Sequence, residues 1–167
     1  MSNFFKGMSI SAFIISLCAG IFCFVVYFEN KTIYFVNNGK LYEGFTLKVE
    51  YENQIKDIRL KRKNMLDSVE LSLKQLEAQG NSEAFAYARE YYIEKVRSFE
   101  KEEELLLEEY NQQIWKRLNQ YAAEFSKNKK IDILFGANGN GTLLHANENI
   151  DLTEDLIKYS NQRYAGK

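Results

Sequence analysis

The chain has 167 residues, with 22 basic and 23 acidic side chains, one histidine, two cysteines and no proline. Charge this nearly balanced gives no global field to hold a polyanion, so nucleic acid is disfavoured as a partner. Both cysteines, Cys18 and Cys23, fall in the apolar N-terminal run, which excludes a disulfide framework or a cysteine metal site elsewhere, and the lone His145 is too little for a histidine cluster.

From Gly7 to Phe28 no side chain is charged. As a helix this run would measure roughly 33 Å, enough to cross a hydrocarbon core of about 30 Å. It ends Val25, Val26, Tyr27, Phe28, Glu29, without a small-x-small cleavage pattern, and neither Leu17 before Cys18 nor Phe22 before Cys23 suits a lipoprotein signal. Residues 1–29 therefore read as a signal-anchor or transmembrane helix, with a cleaved signal as the alternative. Lys6 places the N-terminus on the cytoplasmic side.

Residues 30–167 form the second unit. "KTIYFV", residues 31–36, is rich in β-branched and aromatic types and predicts a short strand, followed by a turn at "NNGK". Over residues 43–127 the period becomes helical, broken at "QGNSE", where Gly80 suits a helix C-cap and Asn81 or Ser82 the next N-cap. The first helix carries a stripe of Tyr51, Ile55, Ile58, Met65, Val69, Leu73 and Leu76, with Arg62 in the gap. The second carries Phe85, Ala88, Tyr92, Val96 and Phe99, then Leu106, Tyr110, Ile114, Leu118, Tyr121 and Phe125, with Glu103 in the stripe. Two such stripes with a short break predict a long antiparallel coiled-coil hairpin.

Charge patterning supports that pairing. "KDIRLKRK", Lys56 to Lys63, holds five basic residues against one acidic, and "EKEEELLLEE", Glu100 to Glu109, holds six acidic against one basic. A fold-back near Asn81 puts residue 59 beside residue 103, so the blocks face each other and set register.

After Lys127 the period returns to two. "KIDILFGAN" places Ile131, Ile133 and Phe135 on one face, and "TLLHA" predicts a second strand. Between them, three glycines lie within six residues, but a phosphate loop needs its glycines between a strand and a helix. Asn138, Gly139, Asn140 and Gly141 read instead as a tight hairpin turn with positive φ. His145 has no nucleophile or carboxylate aimed at it by spacing. "NIDLTEDLIKYSNQRY" predicts a terminal helix, capped by Asp151 or Thr153, with Glu154 and Asp155 in its first turn. No catalytic site, cofactor or metal site is implied.

The stretch "KTIYFVNNGKLYEGF" resembles the start of the mature Skp (OmpH-like) periplasmic chaperones, and "IDILFGANGNGTLLHANENIDLTEDLIKYSNQRY" is similar to their C-terminal module. Together with the hairpin, the resemblance covers residues 31 to 164. It implies an α+β, mostly α fold: a helical hairpin (43–127) on a small β body made from 30–42 and 128–167, with the terminal helix. It further implies a homotrimer whose β body draws on Ile33, Phe35, Ile131, Ile133, Phe135 and Leu144, enclosing a cavity that holds unfolded outer-membrane proteins without ATP. Phe85, Tyr87, Tyr91 and Tyr92 near the tip are candidate client contacts. The implied location is the bacterial inner membrane, single-pass, with the bulk of the chain in the periplasm, or soluble periplasm if the signal is cut. A structural coiled-coil subunit of an envelope or secretion complex is the alternative. One departure is charge: Gly44 to Lys127 holds 14 basic and 16 acidic residues, unlike the basic arms of well-known members.

Overall fold

The computed structural model describes residues 16–21, 23, 32–139, 141 and 143–166. The anchor expected over residues 1–29 lies for the most part outside them; residues 16–21 and 23 are helical and exposed. Among the described residues no helix is long and apolar enough to cross a membrane.

Strand β1, Ile33–Asn37, opens the second unit as expected. The "NNGK" turn does not form. Asn37 instead caps helix α1, Asn38–Glu43, its side chain accepting from the Lys40 N–H at 3.0 Å. The amide chemistry that favours turns serves equally well as an N-cap, and here it starts a helix.

Helix α2, Thr46–Ala78, and helix α3, Ser82–Lys129, form the antiparallel hairpin. At 1.5 Å per residue they extend about 50 Å and about 72 Å. The break falls where the sequence puts it. Gly80 takes φ 69, which costs a glycine little, and Asn81 accepts from the Ala84 N–H at 3.1 Å. Helix α3 ends on Lys130 in the left-handed region, with Lys127 and Lys129 facing its negative end.

Strand β2, Ile133–Ala137, pairs with β1 in parallel, Ile33 opposite Ile133 through to Asn37 opposite Ala137. Parallel neighbours need a crossover, and here the whole hairpin supplies it. This corrects the expected β-hairpin. Among the described residues "TLLHA" forms no strand, so Asn138, Gly139 and Gly141 are not a hairpin turn, and Asn140 lies outside the described residues. Gly139 and Gly141 do take positive φ, 72° and 80°. The chain then crosses to the far edge of β1 instead of returning along β2. There Asp151 bridges Phe35, and the Leu152 N–H donates to the Phe35 carbonyl at 2.9 Å.

A short 3-10 turn, Glu148–Ile150, precedes helix α4, Thr153–Tyr164, which starts where the expected cap at Asp151 places it. Asp151 accepts from the Thr153 N–H at 2.8 Å, and the Thr153 hydroxyl accepts from the Asn37 N–H at 2.9 Å. One turn of chain thus caps α4 and ties it to β1.

The core sits where these elements meet, at the root of the hairpin. Val36, Leu41, Phe45, Leu47, Ile114, Leu118, Tyr121, Phe125 and Leu156 form a continuous buried cluster. Phe45 meets Tyr121 and Tyr164 edge-on, at centroid distances of 6.2 and 5.6 Å. Burying an aromatic or aliphatic side chain of this size contributes roughly 1.5 to 3 kcal/mol, so this cluster dominates the fold's stability.

Candidate functional site

Three features follow from the placement of the arms and the strands: a long seam, an apolar strand face and a tip.

The seam runs between α2 and α3. Ile58, Val69, Leu73 and Leu76 face it half-buried, as do Phe85, Ala88, Tyr92, Val96, Phe99, Leu106 and Tyr110 from the other side. Met65 does not: it is 48% exposed, and Leu66 takes its place. The stripe advances four residues from Arg62 to Leu66 and three to Val69, so a reading that treats Arg62 as a gap lands one residue early. No residue between Ile55 and Ile114 is buried, because two helices alone leave each seam side chain open on one flank.

The charged blocks meet as the fold-back requires. Arg59 Nη2 reaches Glu103 Oε1 at 2.6 Å, and Arg62 Nη2 reaches Glu102 Oε2 at 2.7 Å. Arg62 Nη1 also donates to the Phe99 carbonyl at 2.8 Å, and its guanidinium lies 4.9 Å from the Phe99 ring centroid. The Arg59 hydrogen bond holds the Glu103 carboxyl below its ordinary value, and Glu103 in turn raises Arg59. Nearer the root, Tyr51 and Tyr110 stack at 3.9 Å, and the Tyr110 hydroxyl donates to Gln54 at 2.8 Å. On one flank of the seam a shallow groove of about 610 Å³ is floored by Leu66, Tyr92, Val96 and Phe99. Its rim mixes both signs of charge, including Lys63 and Glu100.

The strand face carries the second feature. Val36 and Leu134 turn toward the core, which leaves Ile33, Phe35, Ile133 and Phe135 together on the opposite face. Ile33, Ile133 and Phe135 are 53%, 44% and 39% exposed and Phe35 is half-buried, an unusual state for adjoining apolar side chains. Ile131 is not with them. It precedes the strand, next to left-handed Lys130, and packs on the core. Leu144 is 92% exposed on the segment after the glycines, and His145 is exposed beside it.

At the tip the four aromatics divide. Phe85 and Tyr92 are half-buried in the seam, while Tyr87 is 76% exposed and Tyr91 lies open under the Lys95 ammonium, 5.4 Å from its ring centroid. Leu60, Leu71 and Leu105 are also exposed along the arms. The sequence reading did not single these out, although their departure from the three-four stripe was the available signal. Among the described residues no group of three or more metal-ligating side chains comes together.

No family model matches the chain, and no curated protein matches it. Among solved structures it is similar to a candidate outer membrane chaperone (OmpH-like) from Caulobacter crescentus, at 11% identity and a TM-score of 0.51. That match covers 80% of this chain and 85% of the other. The long helical hairpin on a small two-stranded sheet is thus an OmpH-like fold.

Proposed function

We propose that this chain is an ATP-independent holdase chaperone of the bacterial envelope, acting as a homotrimer whose helical arms enclose unfolded outer-membrane or envelope proteins. The observation that carries the reading is the arm itself: a hairpin without a buried residue between Ile55 and Ile114, standing on a compact root. Such an arm cannot be a globular core, and its soft, half-open seam offers apolar contact without a tight pocket. The OmpH-like fold supports the same reading. Tyr87, Tyr91 and the groove beside Tyr92 serve as the client-facing wall, and no catalytic chemistry is required.

Trimerisation draws on the apolar strand face. Ile33, Phe35, Ile133 and Phe135, and the 92% exposed Leu144, would gain burial against second and third copies. The apolar run from Gly7 to Phe28 tethers the assembly to the inner membrane with the arms in the periplasm.

The test uses the full chain in lipid nanodiscs without nucleotide. It should form trimers and suppress light scattering when a urea-unfolded β-barrel protein is diluted beside it. A monomer that leaves aggregation unchanged defeats the reading. A second reading, a structural spacer in one envelope or secretion complex, is favoured by the arms' net charge and by the use of Arg59 and Arg62 in pairing across the hairpin. Affinity capture separates the two: many substoichiometric envelope proteins indicate the chaperone, one stoichiometric partner the spacer.

A further inference from the structure

A second groove, which shares only Leu107 with the lining of the seam groove, opens at the root beside β2. Its volume is about 590 Å³, within the range of small-ligand sites, and Asn38, Tyr42, Glu43, Asn111, Trp115 and Asn138 line it. An adjoining hollow of about 370 Å³ shares Asn38, Trp115 and Asn138 and adds Asn119 and Gly136. The Tyr42 and Trp115 rings lie 5.6 Å apart at 31°, a tilted aromatic platform that is only partly covered. Around it stand carboxamides, each carrying both donors and an acceptor.

The geometry points to a neutral sugar ring as the ligand of this groove, its apolar face on Trp115 and Tyr42 and its hydroxyls on Asn111, Asn138 and Asn38. Charge narrows the choice. No lysine or arginine lines the groove, which disfavours a phosphate or carboxylate. The single carboxylate, Glu43, is bound to the Lys48 ammonium at 2.6 Å, which disfavours a cation. An aromatic platform edged by solvent-accessible carboxamides is left, and that combination suits a polyhydroxylated ring: flat C–H surfaces on one side, alternating donors and acceptors at the edge.

Local packing is consistent with a built wall. The Asn38 side chain donates to Asn138 Oδ1 at 2.6 Å, which fixes both amides. Gly136 makes room for this: a Cβ there would lie 2.6 Å from Asn38 Oδ1. A glycine inside a strand commonly marks such a close approach. Val36 and Leu134 line the adjoining hollow, and none of Ile33, Phe35, Ile133 and Phe135 lines the groove or the hollow, so the site is separate from the apolar strand face.

The shared chemistry is a neutral hexose, whether in a wall glycan or in a glycolipid headgroup. Trp115 is the chain's single tryptophan, so its emission reports on the groove directly. The full chain in nanodiscs is titrated with the neutral tetra-N-acetylchitotetraose, and separately prepared in discs containing digalactosyl diacylglycerol. A saturable emission shift with either probe is expected, the soluble arm indicating a wall glycan and the lipid arm a headgroup. Asn111→Ala and Asn138→Ala should each weaken binding about tenfold, the scale of one lost hydrogen bond. Gly136→Ala should weaken it similarly while far-ultraviolet circular dichroism stays unchanged, because it displaces Asn38 without unfolding the strand. No saturable shift with either probe overturns the assignment. So does a shift that survives both asparagine variants, or one reproduced by tetramethylammonium or inorganic phosphate.

Discussion

The root and the arms of this protein are built on different physical terms. At the root, residues from β1, α1, α2, α3 and α4 converge on one buried cluster, with Phe45 and Leu156 fully enclosed. Along the arms, two helices share a half-buried stripe closed by Arg59–Glu103 and Arg62–Glu102. Burial supplies most of the root's stability, whereas exposed ion pairs choose a register and add little. The contrast leaves the root fixed by burial and the arms held mainly by a half-open stripe. Local opening should therefore be cheap at the tip and expensive at the base.

The sharpest way to break this comparison is truncation on each side of it. Leu118→Ala, at a side chain only 1% exposed, should cost about 2 to 5 kcal/mol in denaturant unfolding. Leu73→Ala in the half-buried seam should cost about 1 kcal/mol. Equal losses would mean that arm and root are one cooperative body, and native-state hydrogen exchange would then show equal protection at residues 60–105 and 114–125.

A smaller effect sharpens how the root grips the arm. Helix α2 has no side-chain cap of its own, because Phe45 holds that position. Asn161 on α4 supplies one: its Oδ1 accepts from the Thr46 N–H and hydroxyl, both at 2.9 Å, and its Nδ2 donates to the Gly44 carbonyl at 2.9 Å. Asn161→Ala should lower unfolding free energy by about 1 to 2 kcal/mol, as loss of a strong cap does. A loss well below that would show that water replaces the clasp.

The smallest effect lies in pH dependence at the same junction. The Tyr164 hydroxyl donates to Glu50 Oε2 at 2.5 Å, and this bond pushes its pKa up to about 12. The neutral phenol is thus favoured in the folded chain. Its contribution is complete below the unfolded value near 10 and is lost as pH rises through the folded one. Burial also raises Tyr42 and Tyr51, so ultraviolet titration of tyrosinate should show several late-ionising groups, of which Glu50→Gln returns the Tyr164 one toward the ordinary value. An unchanged titration in that variant would break the link from Glu50 to Tyr164.

Much of the arm was legible in the amino-acid order. A three-four stripe needs only helix geometry to be read, so the seam, the break at Gly80 and Asn81, and the Arg59–Glu103 contact follow from spacing and from opposite charge blocks. Met65 was misplaced because Arg62 reads as a polar gap, whereas its guanidinium caps the Phe99 carbonyl and keeps the stripe in phase. The β region was less legible. Alternation identifies β1 and β2 but carries no information on partner or direction, so an Asn-Gly pair suggested a hairpin where a parallel pair forms. Four of the six candidate β-body residues do share one face; Ile131 is turned inward by the left-handed residue before it.

By itself, the sequence determined that there are two long helices, where they break and how they align, because periodicity and charge act between near neighbours on a helix surface. Only the tertiary structure decided that β1 and β2 run parallel, that the chain crosses to Asp151 instead of doubling back, and that Asn161 caps a helix 115 residues away. Those are choices between partners distant in sequence, each offering an acceptable hydrogen bond. They are settled by which arrangement also buries Phe45, Leu118 and Leu156 together.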